Sequence, residues 1–179
     1  MRFCPQCGQP VSPRVPEGDN RVRAVCDACG NIHYENPRMV LGAVAEWEGR
    51  VLLCRRAIEP CAGLWTLPAG FMENGESTLA AAIRETFEEA RAEIEAAELF
   101  ALIDVPEINQ VHVFYRARLR AGSHAPGEES LETALFAEAD IPWAQLAFRT
   151  VRLCLEHYFA DRRRGCFACH QSVLTRPMP

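Results

Sequence analysis

The stretch from Gly70 to Ala92, GFMENGESTLAAAIRETFEEARA, constrains this chain more than any other, because it crowds acids onto one helical segment. Leu79, Ala82, Ile83, Thr86 and Ala90 recur at three- and four-residue steps and predict a buried stripe, while Glu85, Glu88 and Glu89 gather on a separate face. Like charges at these spacings repel by a few tenths of a kcal/mol per pair, so the cluster calls for a cation. Magnesium or manganese suits it, since both take oxygen ligands and magnesium is usually held by one or two carboxylates plus substrate phosphates. Standing alone, E-x2-E-E reads as a solvated face balanced by Arg84 and Arg91. The preceding residues argue for more. Asn74-Gly75 is a turn dipeptide, Ser77 or Thr78 is a helix cap, and Gly70 closes the strand-like run LWTLPAG, which predicts strand, loop and helix in succession.

This segment resembles the Nudix box, G-x5-E-x7-R-E-U-x-E-E-x-G-U with U aliphatic. Gly70, Glu76, Arg84, Glu85, Glu88 and Glu89 fall in register, and the departures are Thr86 at an aliphatic position, Arg91 in place of the late glycine, and the small Ala92. The resemblance implies that Glu88 and Glu89 bind the metals, that Glu85 bridges a metal or serves as base, and that Arg84 orients Glu85. It further implies that Glu76 pairs within the loop, and that the Ala69 carbonyl adds an oxygen ligand. The reaction it implies is in-line attack of an activated water on a pyrophosphate, giving two monophosphates. A further glutamate commonly arrives from a later loop, for which GEESLETALF offers Glu128, Glu129 and Glu132, with Glu129 or Glu132 preferred.

At the amino terminus, Cys4-Pro-Gln-Cys7-Gly and Cys26-Asp-Ala-Cys29-Gly form two C-x2-C-G knuckles with eighteen residues between them. That spacing suits a four-cysteine structural zinc site and resembles a zinc ribbon. A closed four-thiolate set has no open position for catalysis, and a module this small depends on its metal for stability. The competing reading is a pair of disulfides, disfavoured because no secretory segment is visible. The intervening SPRVPEGDNRVRAV mixes Arg14, Arg21 and Arg23 with Glu17 and Asp19 and has no interleaved aromatics, which makes nucleic-acid binding an unfavoured expectation.

The chain has 179 residues, 49% of them hydrophobic, with a net charge of -5. One globular domain plus a small module is expected, divided as a zinc ribbon at 1–35, a catalytic domain at 36–160 and a tail at 161–179. The acidic balance argues against nonspecific attraction to a polyanion. No apolar run approaches a membrane helix, and cytoplasmic residence is the default expectation.

Strands are predicted at Met39–Trp47 and Arg50–Arg55, turned at Glu48-Gly49, then in LWTLPAG, at Glu98–Val105, Gln110–Arg120 and Leu131–Phe136. A last helix from Phe148 to Phe159 has Val151, Leu155 and Tyr158 on its inner face. Strands interspersed with two substantial helices suggest an α/β class with a mixed sheet between helical layers; the resemblance likewise implies an α/β/α sandwich. The combination of ribbon, GDNRxR, CDxCGxIHYxNPR, EWEGRVLLCRR, GLWTLPAGFMENGE and RETFEEA is similar to the ribbon-bearing Nudix hydrolases related to NADH pyrophosphatases and to ADP-ribose and FAD pyrophosphatases. NADH enzymes typically carry S-Q-P-W-P-F-P-x-S downstream; here LFALIDVPEINQVHVFYRA stands instead, so ADP-ribose or FAD is favoured. Relatives are often homodimers. Pro106 sits where some ADP-ribose hydrolases carry a proline, although a strand end explains it equally.

Trp47, Trp65, Phe71, Phe114 and Tyr115 are candidates to stack a base, against a core role for strand aromatics. Arg55 and Arg56 are candidates for phosphate, with alternation placing only one on a given face. Cys54, Cys61 and Cys154 read as small buried residues. Cys166, Cys169 and His170 spell the C-x2-C-H of haem attachment, but incidental thiols or adventitious metal binding fit better. The alternative to an enzyme is a ligand sensor that retains the scaffold and uses the ribbon to hold a partner. Retention of Arg84, Glu85, Glu88 and Glu89 favours the enzyme.

Overall fold

The structure is a computed structural model and describes residues 1–175. The chain divides after Pro37 into two compact units.

In the first unit, β1 (Val11–Arg14), β2 (Arg23–Cys26) and β3 (Ile32–His33) form a three-stranded antiparallel sheet in the order β1-β2-β3. Each knuckle turns on its glycine: Gly8 and Gly30 take φ of 73° and 74°, a region open to glycine, and their N–H groups donate to the carbonyls of Cys4 and Cys26. The ribbon has little core of its own, with Cys4, Val25 and Cys26 its buried apolar residues.

The second unit begins with β4 (Arg38–Trp47) and β5 (Arg50–Arg56), joined at Glu48-Gly49. The predicted strand in LWTLPAG is two short ones, β6 (Trp65–Thr66) on β5 and β7 (Ala69–Phe71) on β4. The break falls at Leu67-Pro68, where proline lacks a ladder donor. The helix α1 (Thr78–Ala90) follows, then β8 (Ile94–Val105), β9 (Gln110–Leu119), β10 (Ser130–Phe136), the helix α2 (Arg149–Arg164) and β11 (His170–Val173). The sheet order is β10-β5-β4-β9-β8-β11, with β4-β9 and β8-β11 parallel and the other pairs antiparallel. It is the expected α/β/α sandwich.

Alternation along the strands assigns the two faces. Leu41 and Val113 pack with Ala81 and Ala82 of α1. Val44, Phe100, Ile103 and Phe114 pack on the other side with Val151, Cys154, Leu155, Tyr158 and Phe159 of α2. Residues beyond 160 do not leave the domain as a tail: α2 continues to Arg164, Gly165 ends it at φ 70°, and β11 adds a parallel edge strand to β8. A parallel partner lies far away in sequence, so no local pattern announces it.

Candidate active site

Helix α1 starts where Ser77 Oγ accepts the Ala80 N–H at 3.1 Å, and ends at Arg91 in the left-handed region with φ 48°. Glycine is the usual residue at such a cap, and an L side chain pays about 1 kcal/mol there. The departure at Arg91 leaves the helix end intact.

The buried side of α1 consists of Ala81, Ala82, Glu85, Thr86, Glu89 and Ala90. The expected stripe is therefore corrected at Leu79 and Ile83: Leu79 is half-buried and Ile83 is 43% exposed, while two of the three acids turn toward the sheet. Gly70 provides the room. A Cβ added there would lie 2.3–2.5 Å from the Glu85 carboxylate atoms. Thr86, at an aliphatic position of the box, satisfies its hydroxyl by donating to the Ala82 carbonyl at 2.7 Å.

Arg84 binds the acids together. Its Nη1 donates to Glu85 Oε1 at 2.7 Å and Glu88 Oε2 at 2.9 Å; its Nε and Nη2 donate to the two Glu76 oxygens at 3.1 and 2.8 Å, and Nη2 also to the Phe71 carbonyl at 3.1 Å. Glu76 accepts in addition the Glu73 N–H at 2.6 Å, which ties the loop back on itself. The Arg84 guanidinium holds the Glu76 carboxyl below its ordinary range, and the acids in turn raise the arginine. Glu85 is pushed up because burial outweighs Arg84. Glu89 is pushed up to about 8, chiefly by burial and against an N–H donated by Ala69 at 3.1 Å.

These residues line a cleft of about 1050 Å³. Ala69, Gly70, Arg84, Glu85, Glu88 and Glu89 lie on one wall, Glu128 and Glu129 come from the loop before β10, and Arg56 from the end of β5. Glu129 raises both Glu85 and Glu89 through its charge, whereas Arg56 lowers Glu89, so both face the acids. The loop is docked tightly: the Gly127 N–H donates to the Glu89 carbonyl at 3.0 Å, and a Cβ on Gly127 would strike the Glu88 carbonyl at 1.7 Å. Glu132 is corrected. It stands one register step along β10 opposite Arg55, is exposed, pairs with Arg55 at 3.7 Å, and does not line the cleft. Alternation thus sends Arg56 into the cleft and Arg55 away.

The donor set of Glu85, Glu88, Glu89 and the Ala69 residue is all oxygen, the chemistry that magnesium or manganese takes. Two carboxyls raised by burial are groups that a nearby cation would restore to their charged form. The residues fit such an ion. Arg84 meanwhile holds oxygens of Glu76, Glu85 and Glu88, and among the described residues only Cys4, Cys7, Cys26 and Cys29 bring three or more metal-type ligand atoms within 4.8 Å of one another.

In that cysteine set, Cys4–Cys29, Cys7–Cys26 and Cys7–Cys29 have Sγ separations of 3.9, 3.4 and 3.6 Å. A tetrahedron with zinc–sulfur bonds of about 2.3 Å has edges of about 3.8 Å, whereas a disulfide needs about 2.05 Å. All nine cysteines are free. The Cys29 and Ala28 N–H groups pull Cys26 down to about 6, toward thiolate.

The remaining candidates separate cleanly. Trp65 is buried and packs edge-on to Phe136, Trp47 lies over Gly122, and Tyr115 exchanges a hydrogen bond with Thr78 at 2.7 Å on the α1 side. Phe114 is core and cleft floor at once, and Phe71 stands exposed at the cleft with Arg38 over its ring. Pro106 begins a short 3-10 turn and does not line the cleft. Cys54 and Cys154 are buried, but Cys61 is partly exposed. His170 bonds Asp161 at 2.7 Å and stacks on His157, while Cys166 and Cys169 are exposed. Sequence reasoning missed Gln110 and His112, which share a β9 face with Phe114, and Phe148, Arg149 and Thr150 at the start of α2. Burial pushes His112 down to about 4, which keeps it neutral beside Gln110. The period of two along β9 was the available signal.

The family model described as NUDIX domain matches residues 36–154, and that described as Nudix N-terminal, a zinc ribbon, matches residues 2–35. A crystal structure of a NUDIX hydrolase from Nitrosomonas europaea is 48% identical, with a TM-score of 0.94 over 97% of this chain and 99% of that one. An ADP-ribose pyrophosphatase from Streptococcus suis is 25% identical, with a TM-score of 0.61 over 76% of this chain and 99% of that one. The NAD-capped RNA hydrolase NudC of Stutzerimonas stutzeri (strain A1501) is 30% identical over 165 residues, 90% of this chain and 57% of the relative. That of Vibrio atlanticus (strain LGP32) is 30% identical over 169 residues, 94% of this chain and 61% of the relative. The chain thus spans little more than half the length of these curated relatives. Among the described residues, no helix is long and apolar enough to cross a membrane.

Proposed function

The chain belongs to the Nudix hydrolase family and carries its N-terminal zinc ribbon, and from this premise we propose a divalent-metal-dependent pyrophosphohydrolase that splits a nucleoside diphosphate linked to another moiety into two monophosphates. ADP-ribose or FAD is the favoured substrate, NADH less so. One observation carries the reading: Glu85, Glu88, Glu89, Glu129 and Arg56 converge on one cleft of about 1050 Å³. That space suits a dinucleotide, at the upper end of small-molecule sites.

Glu85, Glu88, Glu89 and the Ala69 carbonyl would hold magnesium or manganese, which supplies charge neutralisation and a water of lowered pKa. The chain does the rest. Arg84, anchored on Glu76, fixes the Glu85 side chain through one carboxylate oxygen at the cleft wall. Glu129 approaches from the β10 side and accepts the proton of the attacking water. Arg56 meets the phosphate oxygens opposite the carboxylates, and Phe71 offers an exposed ring to the base. The four-thiolate zinc set has no open position and serves the ribbon's fold.

A second substrate reading, a nucleotide-capped RNA end, is favoured by the names of the curated relatives and opposed by the net charge of -5. Residence in the cytoplasm and assembly as a homodimer are the accompanying expectations. The non-catalytic sensor fits poorly, because Glu85, Glu88, Glu89 and Arg84 are all retained and line one cleft.

The test is product analysis with magnesium or manganese against ADP-ribose, FAD, NADH, NAD, diadenosine polyphosphates and an NAD-capped RNA, with Glu88→Gln in parallel. One compound should yield AMP or its equivalent plus a partner monophosphate, and the variant should lose at least about a hundredfold. Survival of every compound, or equal cleavage by the variant, would move the sensor reading ahead.

A further inference from the structure

The cleft has a second wall that the carboxylate chemistry leaves unexplained. It is the start of α2, where Phe148, Arg149, Thr150 and Val151 all line the cavity. The helix has sixteen residues, and Phe148 occupies its N-cap position with no side-chain cap. Serine, threonine, aspartate or asparagine is the usual residue there, because the first turn has N–H groups without intrahelical partners. The first helical bond is that from the Arg152 N–H to the Phe148 carbonyl, at 3.2 Å.

A second, independent observation points the same way. Thr150 is only 4% exposed, yet its Oγ1 has no hydrogen-bond partner. A buried hydroxyl left unpaired is unfavourable and is normally satisfied by protein, water or ligand. It stands on the first turn, beside the open N–H groups. Two guanidinium groups flank them: Arg56 lies 5.1 Å over the Phe148 ring, and Arg149 donates from Nη1 to the Thr175 carbonyl at 3.3 Å. Arg56 also bears electrostatically on Glu89, so this positive corner adjoins the acids.

We propose that the N-terminus of α2, with the Thr150 hydroxyl and the Arg56 and Arg149 guanidiniums, is an anion subsite that seats a phosphoryl group of the substrate. Its ligand assignment rests on the hydrolase reading. Helix N-termini favour anions through their N–H groups and dipole. The carboxylates across the cleft are committed to the cation of the hydrolase reading, so the α2 wall offers a separate contact for a phosphoryl group and makes the subsite a determinant of orientation.

The experiment has a binding arm and a turnover arm. In the binding arm, the zinc-loaded protein without added magnesium or manganese is titrated with inorganic phosphate and followed by ¹⁵N amide shifts. The amides of Arg149, Thr150 and Val151 should move saturably. Thr150→Val, nearly isosteric, should weaken the response about tenfold, as expected for a hydrogen bond to a charged group, and Thr150→Ser should keep it. In the turnover arm, Thr150→Val should raise KM about tenfold with kcat within a factor of about two. A purely structural Thr150 predicts instead that removing its unpaired hydroxyl leaves binding and KM unchanged and raises Tm, and that outcome overturns the proposal. So does an absence of shifts at the three amides, even if hydrolysis proceeds. Should no compound be hydrolysed while the amides still respond to phosphate in the Thr150-dependent way, the subsite stands and only the hydrolase reading fails.

Discussion

In the ribbon, four sulfurs stand 3.4–3.9 Å apart where three pairs are in reach, and neither Arg14 nor Arg23 competes for them, each being paired with an aspartate. On α1, Glu85 and Glu88 share Arg84 with Glu76 of the preceding loop while Glu89 accepts the Ala69 N–H, and these oxygens do not close into one set. Both arrangements answer the problem of gathering like charges. The ribbon's four sulfurs close into one set that suits a structural zinc; the helix keeps a resident cation of its own in Arg84. A closed set suits structure, and a shared set suits turnover.

Zinc removal breaks this contrast most severely. Structural zinc contributes on the order of 10 kcal/mol to small modules, so chelation or Cys26→Ser should abolish hydrogen-exchange protection within residues 1–37 while the β4–β9 ladder stays protected. Persistent ribbon protection after chelation would contradict a metal-held fold. On the helix side, Glu129→Gln should lower kcat about a hundredfold, the scale of a lost general base. Gly70→Ala, whose Cβ would lie 2.3–2.5 Å from the Glu85 carboxylate, should cost roughly tenfold in kcat with the far-ultraviolet spectrum unchanged, because a displaced catalytic group loses alignment. An active Gly70→Ala enzyme would show that Glu85 has slack.

A subtler effect sharpens the comparison through pH. Glu89 is raised from 4.5 to about 8. Between those values the native protein without magnesium or manganese keeps a proton that the unfolded chain has released, so its stability is fully present below the lower value and falls as pH rises through the upper one. Thermal melts of the zinc-loaded protein without added magnesium or manganese should show Tm declining across that window, with Glu89→Gln flattening the decline and added magnesium opposing it. A flat wild-type profile would mean that Glu89 is not desolvated. Smallest of all, Glu132→Gln should leave kcat within a factor of about two, since an exposed pair with Arg55 is worth little.

Much of this was legible in the residues. Cysteine spacing announced the ribbon, and Gly70, Glu76 and Arg84 placed turn and helix, because covalent spacing alone fixes which groups share a knuckle or a helix face. What escaped was decided by long-range packing. Ile83 belongs by hydrophobicity to the inner stripe, yet α1 rotates Glu85 and Glu89 inward over a glycine that leaves room for a carboxylate. Glu129 and Glu132 differ by a strand register and a bulge that no local pattern encodes. The start of α2 gave no capping signal, since its defining feature is a missing cap.

The parallel docking of β11 on β8 has a practical corollary. Leu174 follows that strand, lines the cleft and is pinned by its N–H to the Asp104 carbonyl at 2.8 Å, while Thr175 receives Arg149. Deleting the chain from His170 onward would therefore do more than trim an end. It would strip the sheet margin, leave β8 with open ladder groups prone to self-association, and take away one side of the catalytic chamber, so a shortened version should be both stickier and poorer at holding its substrate.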